Sequence, residues 1–169
     1  MGAWGVGLFS DDLACDVRDA YRELVTGGET AEAAKAEVLA RHAEDLADPD
    51  EGPVVWLALA ATAWQLGRLD PETKVRALEL IECRAGMDRW IEEGLAAKRE
   101  AVLQKLALKL SQPQRAPVKL KPKTRFFTDW AIGEAVGFQK STGSWILLHV
   151  VAHHSHKTPG IHSVTKISD

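Results

Sequence analysis

The chain has 169 residues, 46% hydrophobic and 27% charged, with a formal net charge of −3. That balance excludes a disordered chain and allows a buried core without disulfides or a structural metal. Cys15 and Cys83 are the two cysteines, with no CxxC spacing, so a secreted disulfide framework is excluded in favour of reduced thiols in a cytosol.

The start has no basic patch leading into a long apolar run, and so does not read as a signal peptide. The longest apolar stretch, VVWLALAATAW, has 11 residues, against about 20 needed to cross a bilayer. The expectation is a soluble, cytoplasmic protein. Charge is segregated along it: residues 1–50 hold 12 acids and 4 bases, whereas residues 98–125 hold 9 bases and one acid. Such asymmetry points to a partner or to docking within the chain.

In chain order, Ser10 is expected to cap a first helix, with Asp11 and Asp12 where the helix dipole favours negative charge. Leu13, Val17, Tyr21 and Leu24 give that helix one apolar stripe, and VTGGET ends it. Thr30 caps a second helix over 31–47. After the turn DPDEGP, Pro53 fits a first helical position, and residues 54–66 are apolar nearly all round, which places that helix at the centre of a bundle. Asp70 and Pro71 start a fourth helix with Val75, Leu78 and Ile81 on one side. A short piece holding Trp90 follows, then a last helix over about 95–110.

The texture changes at SQPQRAPVKLKPKTR, where Pro113, Pro117 and Pro122 favour an extended basic linker. Beyond it the hydrophobic period switches to two. WAIGEAVGFQ and SWILLHVVAHH flank KSTG as a hairpin, and GIHSVTKIS is the third strand. In the middle strand Ile146, Leu148, Val150 and Ala152 form one apolar face, while Trp145, Leu147, His149 and Val151 form a second, mostly apolar one. Both faces are therefore expected to be covered, the small β-domain packing against the helical bundle or against another chain. The fold class is α+β: a helical domain of about five helices (1–110), a basic linker (111–125) and a small antiparallel β-domain (126–169).

For chemistry, GAWGVG fits neither a P-loop nor a dinucleotide fingerprint, and its glycines read as letting Trp4, Leu8 and Phe9 fold over the first helices. Asp12, Asp16 and Asp19 share a helix face but lack converging partners for a cation, so they read as solvated. His154 and His156, joined by His162, have zinc-ligand spacing, yet no acid or cysteine lies among them. His149 reads as a hydrogen-bonded packing residue. No GxSxG elbow or assignable triad is present. The best binding candidates are Arg115, Lys119, Lys121, Lys123 and Arg125 with Trp145 and His149, and the basic run can equally lie across the acidic helices of its own chain.

MGAWGVGLFSDDLACD resembles the opening of a bacterial family known only as a domain of unknown function, through Met1, Gly2, Ala3, Trp4, Gly5, Gly7, Phe9, Asp11 and Asp12. DPDEGPVVWLALAATAWQLGRL looks like that family's central helix. The resemblance, clearest over residues 1–25 and weaker to about 110, implies a helical, cytoplasmic bacterial protein and carries over no active residue. Residues 130–154 are similar to the early strands of SH3-like barrels of the Tudor and KOW kind, though only three or four of the usual five strands fit. The expectation is a non-catalytic module that binds another protein, in an immunity or adaptor role, without metal or cofactor. The alternatives are nucleic-acid binding by linker and β-domain, and a metal-dependent hydrolase using Asp and His residues.

Overall fold

The computed structural model describes residues 5–120, 130–152 and 163–166. Its chain divides into two compact units, Met1–Pro122 and Lys123–Asp169.

Helix start signals in the first unit act largely as the sequence implies, with one-residue shifts. A 3₁₀ turn (Leu8–Ser10) precedes α1 (Asp12–Thr26). Asp11 rather than Ser10 is the cap, because its carboxylate accepts from Leu13 N–H at 3.0 Å while Ser10 is held inside the turn. Thr30 caps α2 (Ala31–Arg41) through Ala33 N–H. The single helix expected over 31–47 is broken at His42, which leaves helical dihedrals and sets Nδ1 2.7 Å from Asp45 in α3 (Ala43–Ala47).

The central helix, α4 (Glu51–Gln65), begins before Pro53, because the Asp48 side chain accepts from both Asp50 and Glu51 N–H. Pro53 thus occupies the third helical position, where an amide would have no intrahelical acceptor. Eleven of the fifteen α4 residues are buried, so the helix is enclosed as its all-round apolarity requires. It packs on α1, α3, α5 (Pro71–Glu82), α7 (Ala96–Ser111) and the 3₁₀ turn. Ala58, Ala60, Ala61 and Ala63 allow close approach, and Thr62 satisfies its hydroxyl on Ala58 C=O at 2.7 Å. Tyr21, Leu13 and Leu57 fill the space between helices, each contributing about 1.5–3 kcal/mol by leaving water.

Asp70 caps α5 as expected, taking Thr73 N–H on Oδ1 and the Thr73 hydroxyl on Oδ2. Val75 departs from the expected stripe: Ala77, Leu80 and Ile81 are buried while Val75 is exposed. A short α6 (Asp88–Glu92) carries buried Trp90. Among the described residues there are seven helices, against about five expected; the broken second helix and the five-residue α6 account for the difference.

Residues 112–120 are extended, as their prolines dictate, but they form a strap tied to the bundle. Val118 N–H donates to Leu66 C=O at 2.9 Å, Leu69 N–H to Gln114 Oε1 at 2.8 Å, and Leu120 packs against the helical core. Gly67, at φ +68°, makes this crossing possible. A Cβ there would lie 2.6 Å from the carbonyl oxygens of Arg115 and Ala116.

In the second unit β1 (Ala135–Gln139), β2 (Trp145–Ala152) and β3 (Ser163–Lys166) form an antiparallel sheet in the order β1-β2-β3. The first pair is in register from Ala135 opposite His149 to Gln139 opposite Trp145. The second contains an irregularity between His149 and Ala152. The whole is an α+β arrangement.

Candidate interaction surface

Period-two alternation puts Ala135, Gly137 and Gln139 of β1 on one sheet face with Trp145, Leu147, His149 and Val151 of β2. Val136 and Phe138 share the other face with Ile146, Leu148 and Val150. Val150 is buried, and Val136, Ile146 and Leu148 are half-buried. The opposite face is largely exposed within the single chain. Trp145 is 67% exposed, Leu147 63% and Val151 50%, with His149 half-buried between them. Alternation records which residues avoid water, and three strands have too little material to cover a second side themselves. The Trp145 ring leans across β1, its Cε3 and Cζ3 only 3.4 Å from where a Cβ of Gly137 would stand. Phe138, on the first face, is also 59% exposed near the β1 edge.

Of the basic set, Arg115 and Lys119 lie on the strap with exposed side chains, and neither forms an ion pair with a described residue. Their backbone neighbours bind the bundle, so the strap is held while its charges face water. Lys121, Lys123 and Arg125 lie outside the described residues, as do His153, His154, His156 and His162. Of the seven candidate residues, Trp145 and His149 share a face of the sheet and Arg115 and Lys119 share the strap.

In the N-terminal signature Leu8 is buried and Phe9 packs against the core, in keeping with the packing reading, and Trp4 lies outside the described residues. Asp11 joins a cluster that the sequence did not reveal. Buried Asp11, besides capping α1, receives Arg89 at 2.6 Å. Trp90 has the Arg89 guanidinium 4.7 Å and the Arg99 guanidinium 5.0 Å from its ring. Buried Arg99 donates to Val6 C=O at 3.0 Å. Desolvation, with the positive charge of Arg89 adding to it and Asp11 opposing, pushes the Arg99 pKa down to about 10. Arg18 stacks over Phe9 at 5.3 Å, and Cys15 Sγ donates to Phe9 C=O at 3.3 Å. Asp11 spends its oxygens on a cap and an arginine, a structural use. Asp16 and Asp19 are exposed, Asp19 paired with Arg18 at 2.8 Å. No group of three or more His, Cys, Asp or Glu able to hold a metal occurs among the described residues.

A cleft of about 330 Å³ is lined by Ala31, Glu32, Lys35 and Asp70. Lys35 Nζ reaches Asp70 at 3.1 Å and Glu72 at 2.9 Å. Burial works against the Lys35 ammonium, yet the hydrogen bonds and charges of Glu72 and Asp70 outweigh it and hold its pKa above the ordinary value. Burial likewise opposes the Asp70 carboxylate, and hydrogen bonds from Thr73 and Lys35 outweigh it and lower its pKa. The Lys35 charge is thus satisfied within the cleft by two carboxylates. A wider groove of about 600 Å³ runs beside Trp56, Pro71 and Val75.

The family model described as a domain of unknown function, DUF4259, matches residues 2–114. No curated protein and no solved structure matches the chain. The match spans two thirds of the chain and covers both the signature cluster and the bundle. The chain belongs to that family.

Proposed function

We propose that this DUF4259 chain is a non-catalytic interaction module that docks another protein on the apolar face of its β-sheet. One observation carries the reading: Trp145, Leu147 and Val151 stand together on one face, each at least half exposed. A monomer rarely leaves large apolar side chains side by side in water unless something covers them. A tryptophan in an apolar patch without Asp, Glu, Lys or Arg has the character of the buried part of a protein interface. The meander order of the three strands fits part of an SH3-like barrel.

Cytoplasmic residence fits the unpaired thiols of half-buried Cys15 and exposed Cys83, and no helix among the described residues is long and apolar enough to cross a membrane. An immunity or adaptor role is the form of this activity that needs no chemistry from the chain itself. Nucleic-acid binding is the second reading, favoured by exposed Arg115 and Lys119 on a held strap, neither ion-paired to a described residue, and opposed by the net charge of −3.

Paired capture from the cell of origin, with nuclease treatment in parallel, tests these readings. The wild type is expected to retain a protein that Trp145→Ser/Leu147→Ser loses and that nuclease leaves in place. Capture unaffected by the double substitution removes the sheet face as the docking surface. Capture abolished by nuclease and by Arg115→Ala/Lys119→Ala transfers the function to nucleic acid.

A further inference from the structure

The geometry points to a second copy of this chain as a partner of the sheet: β1 pairs with β1 of another molecule, antiparallel about a two-fold axis through Gly137. This rests on the reading of the sheet as a docking element and names one partner that it takes.

The backbone comes first. Val150 N–H bonds Glu134 C=O and Lys140 N–H bonds Ser144 C=O, so the even-numbered residues of this segment direct their backbone groups at β2. Alternation then turns the N–H and C=O groups of Ala135, Gly137 and Gln139 to the open edge. All three residues are exposed, and among the described strands β1 lies at one side of the sheet order. Such an edge is a template for another strand unless charge or proline blunts it. β1 reads AVGFQ, with neither, whereas the opposite edge strand carries Lys166.

Self-complementarity then selects a second copy over an unrelated strand. A two-fold axis at Gly137 sets Ala135 and Gln139 of one copy against Gln139 and Ala135 of the other, with Gly137 against Gly137. These three pairs exchange the edge hydrogen bonds, six in all by the antiparallel pattern. In the alternate, closer pairs Val136 meets Phe138. At both ends Glu134 meets Lys140 of the other copy, so opposite charges close the seam. Glu134 and Lys140 are exposed, with no ion pair to any described residue. Above the sheet the Trp145 ring lies over β1 at Gly137, and with the two β2 strands about 14 Å apart (three strand spacings) both tryptophans approach the seam. Joined sheets would present one six-stranded apolar face.

The charged pairs supply the test, read by sedimentation equilibrium over a concentration series at low salt. The wild type is expected to move from monomer to dimer mass. Lys140→Glu opposes like charges twice and should weaken association about tenfold, each opposed pair giving about a factor of three. The double swap Glu134→Lys/Lys140→Glu restores opposite charges across the seam and should return association to near the wild-type value. Within one chain these positions are about 20 Å apart at 3.3 Å per residue, so the swap does not rescue through its own molecule. Matching far-UV circular dichroism among the three proteins excludes misfolding as the cause of a loss. A wild type that stays monomeric throughout overturns the inference, as does a dimer indifferent to Lys140→Glu or one that the double swap fails to restore. A monomeric wild type that still captures its protein through Trp145 and Leu147 sinks this inference alone and leaves the docking surface standing.

Discussion

The two units spend similar side chains in opposite ways. In the helical unit Leu57 is 2% exposed, enclosed by its neighbours, while charged residues such as Asp16 and Glu37 face water. In the sheet unit Leu147 is 63% exposed, and two other large apolar residues stand beside it on the same face. The difference follows from geometry. A helix offers one stripe, and a bundle covers each stripe with another helix. A three-stranded sheet has two broad faces and can close over only one. What remains open in the smaller unit is an exposed apolar face, the one proposed above for docking, and the helical unit is an apolar core stabilised in the ordinary way.

The sharpest test of that contrast truncates leucine in each unit. Leu57→Ala is expected to cost about 3 kcal/mol by opening a cavity, whereas Leu147→Ala should change stability by no more than about 0.5 kcal/mol. Chemical denaturation of both variants measures this, and comparable losses would mean that the sheet face is packed. Next comes Gly67→Ala, expected to cost about 2 kcal/mol, because it combines a left-handed backbone with a 2.6 Å approach to the strap carbonyls. Thermal melting checks it, and faster amide exchange at Val118 and Leu69 would locate the damage at the strap.

The smallest effect concerns pH. The folded-state pKa of Asp70 is lowered, so its contribution is present above the unfolded value near 4 and fades as pH falls through the folded one. The Lys35 pKa is raised, so its contribution is complete below about 10.5 and is lost as pH rises through the folded value. Asp70→Asn keeps a capping side chain but removes the ion pair. With Asp70 over a third exposed, the expected loss at neutral pH is only about 0.5 kcal/mol. It should shrink toward zero in acid, as a urea series across pH would record.

Legibility followed the range of the interactions. Thr30 and Asp70 as caps, and the centrality of α4, were readable because a cap or an apolar run is written within a few adjacent residues. The cluster of Asp11, Arg89, Trp90 and Arg99 was not. Its members lie 78 or more positions from Asp11, and nothing local distinguishes Arg99 from any solvated arginine on a helix. Val75 misled by its spacing, which fits the stripe although the helix is turned to bury Ala77. Residues 112–120 read as a linker because prolines and lysines announce extension without saying where amides find acceptors. On the sheet, apolar alternation identified the two faces of β2 and their apolar character, but left open whether the cover is the bundle or another chain.

The strap sets a border that helix-spotting would misplace. A segment excised where the last apolar helix fades, at about residue 110, would strip the Leu66 carbonyl and Leu69 amide of their partners and uncover the seat of Leu120. The family match to residue 114 also stops short of Val118 and Leu120. These bonds show that the helical half of the molecule finishes several residues later, on a stretch with no regular secondary structure at all.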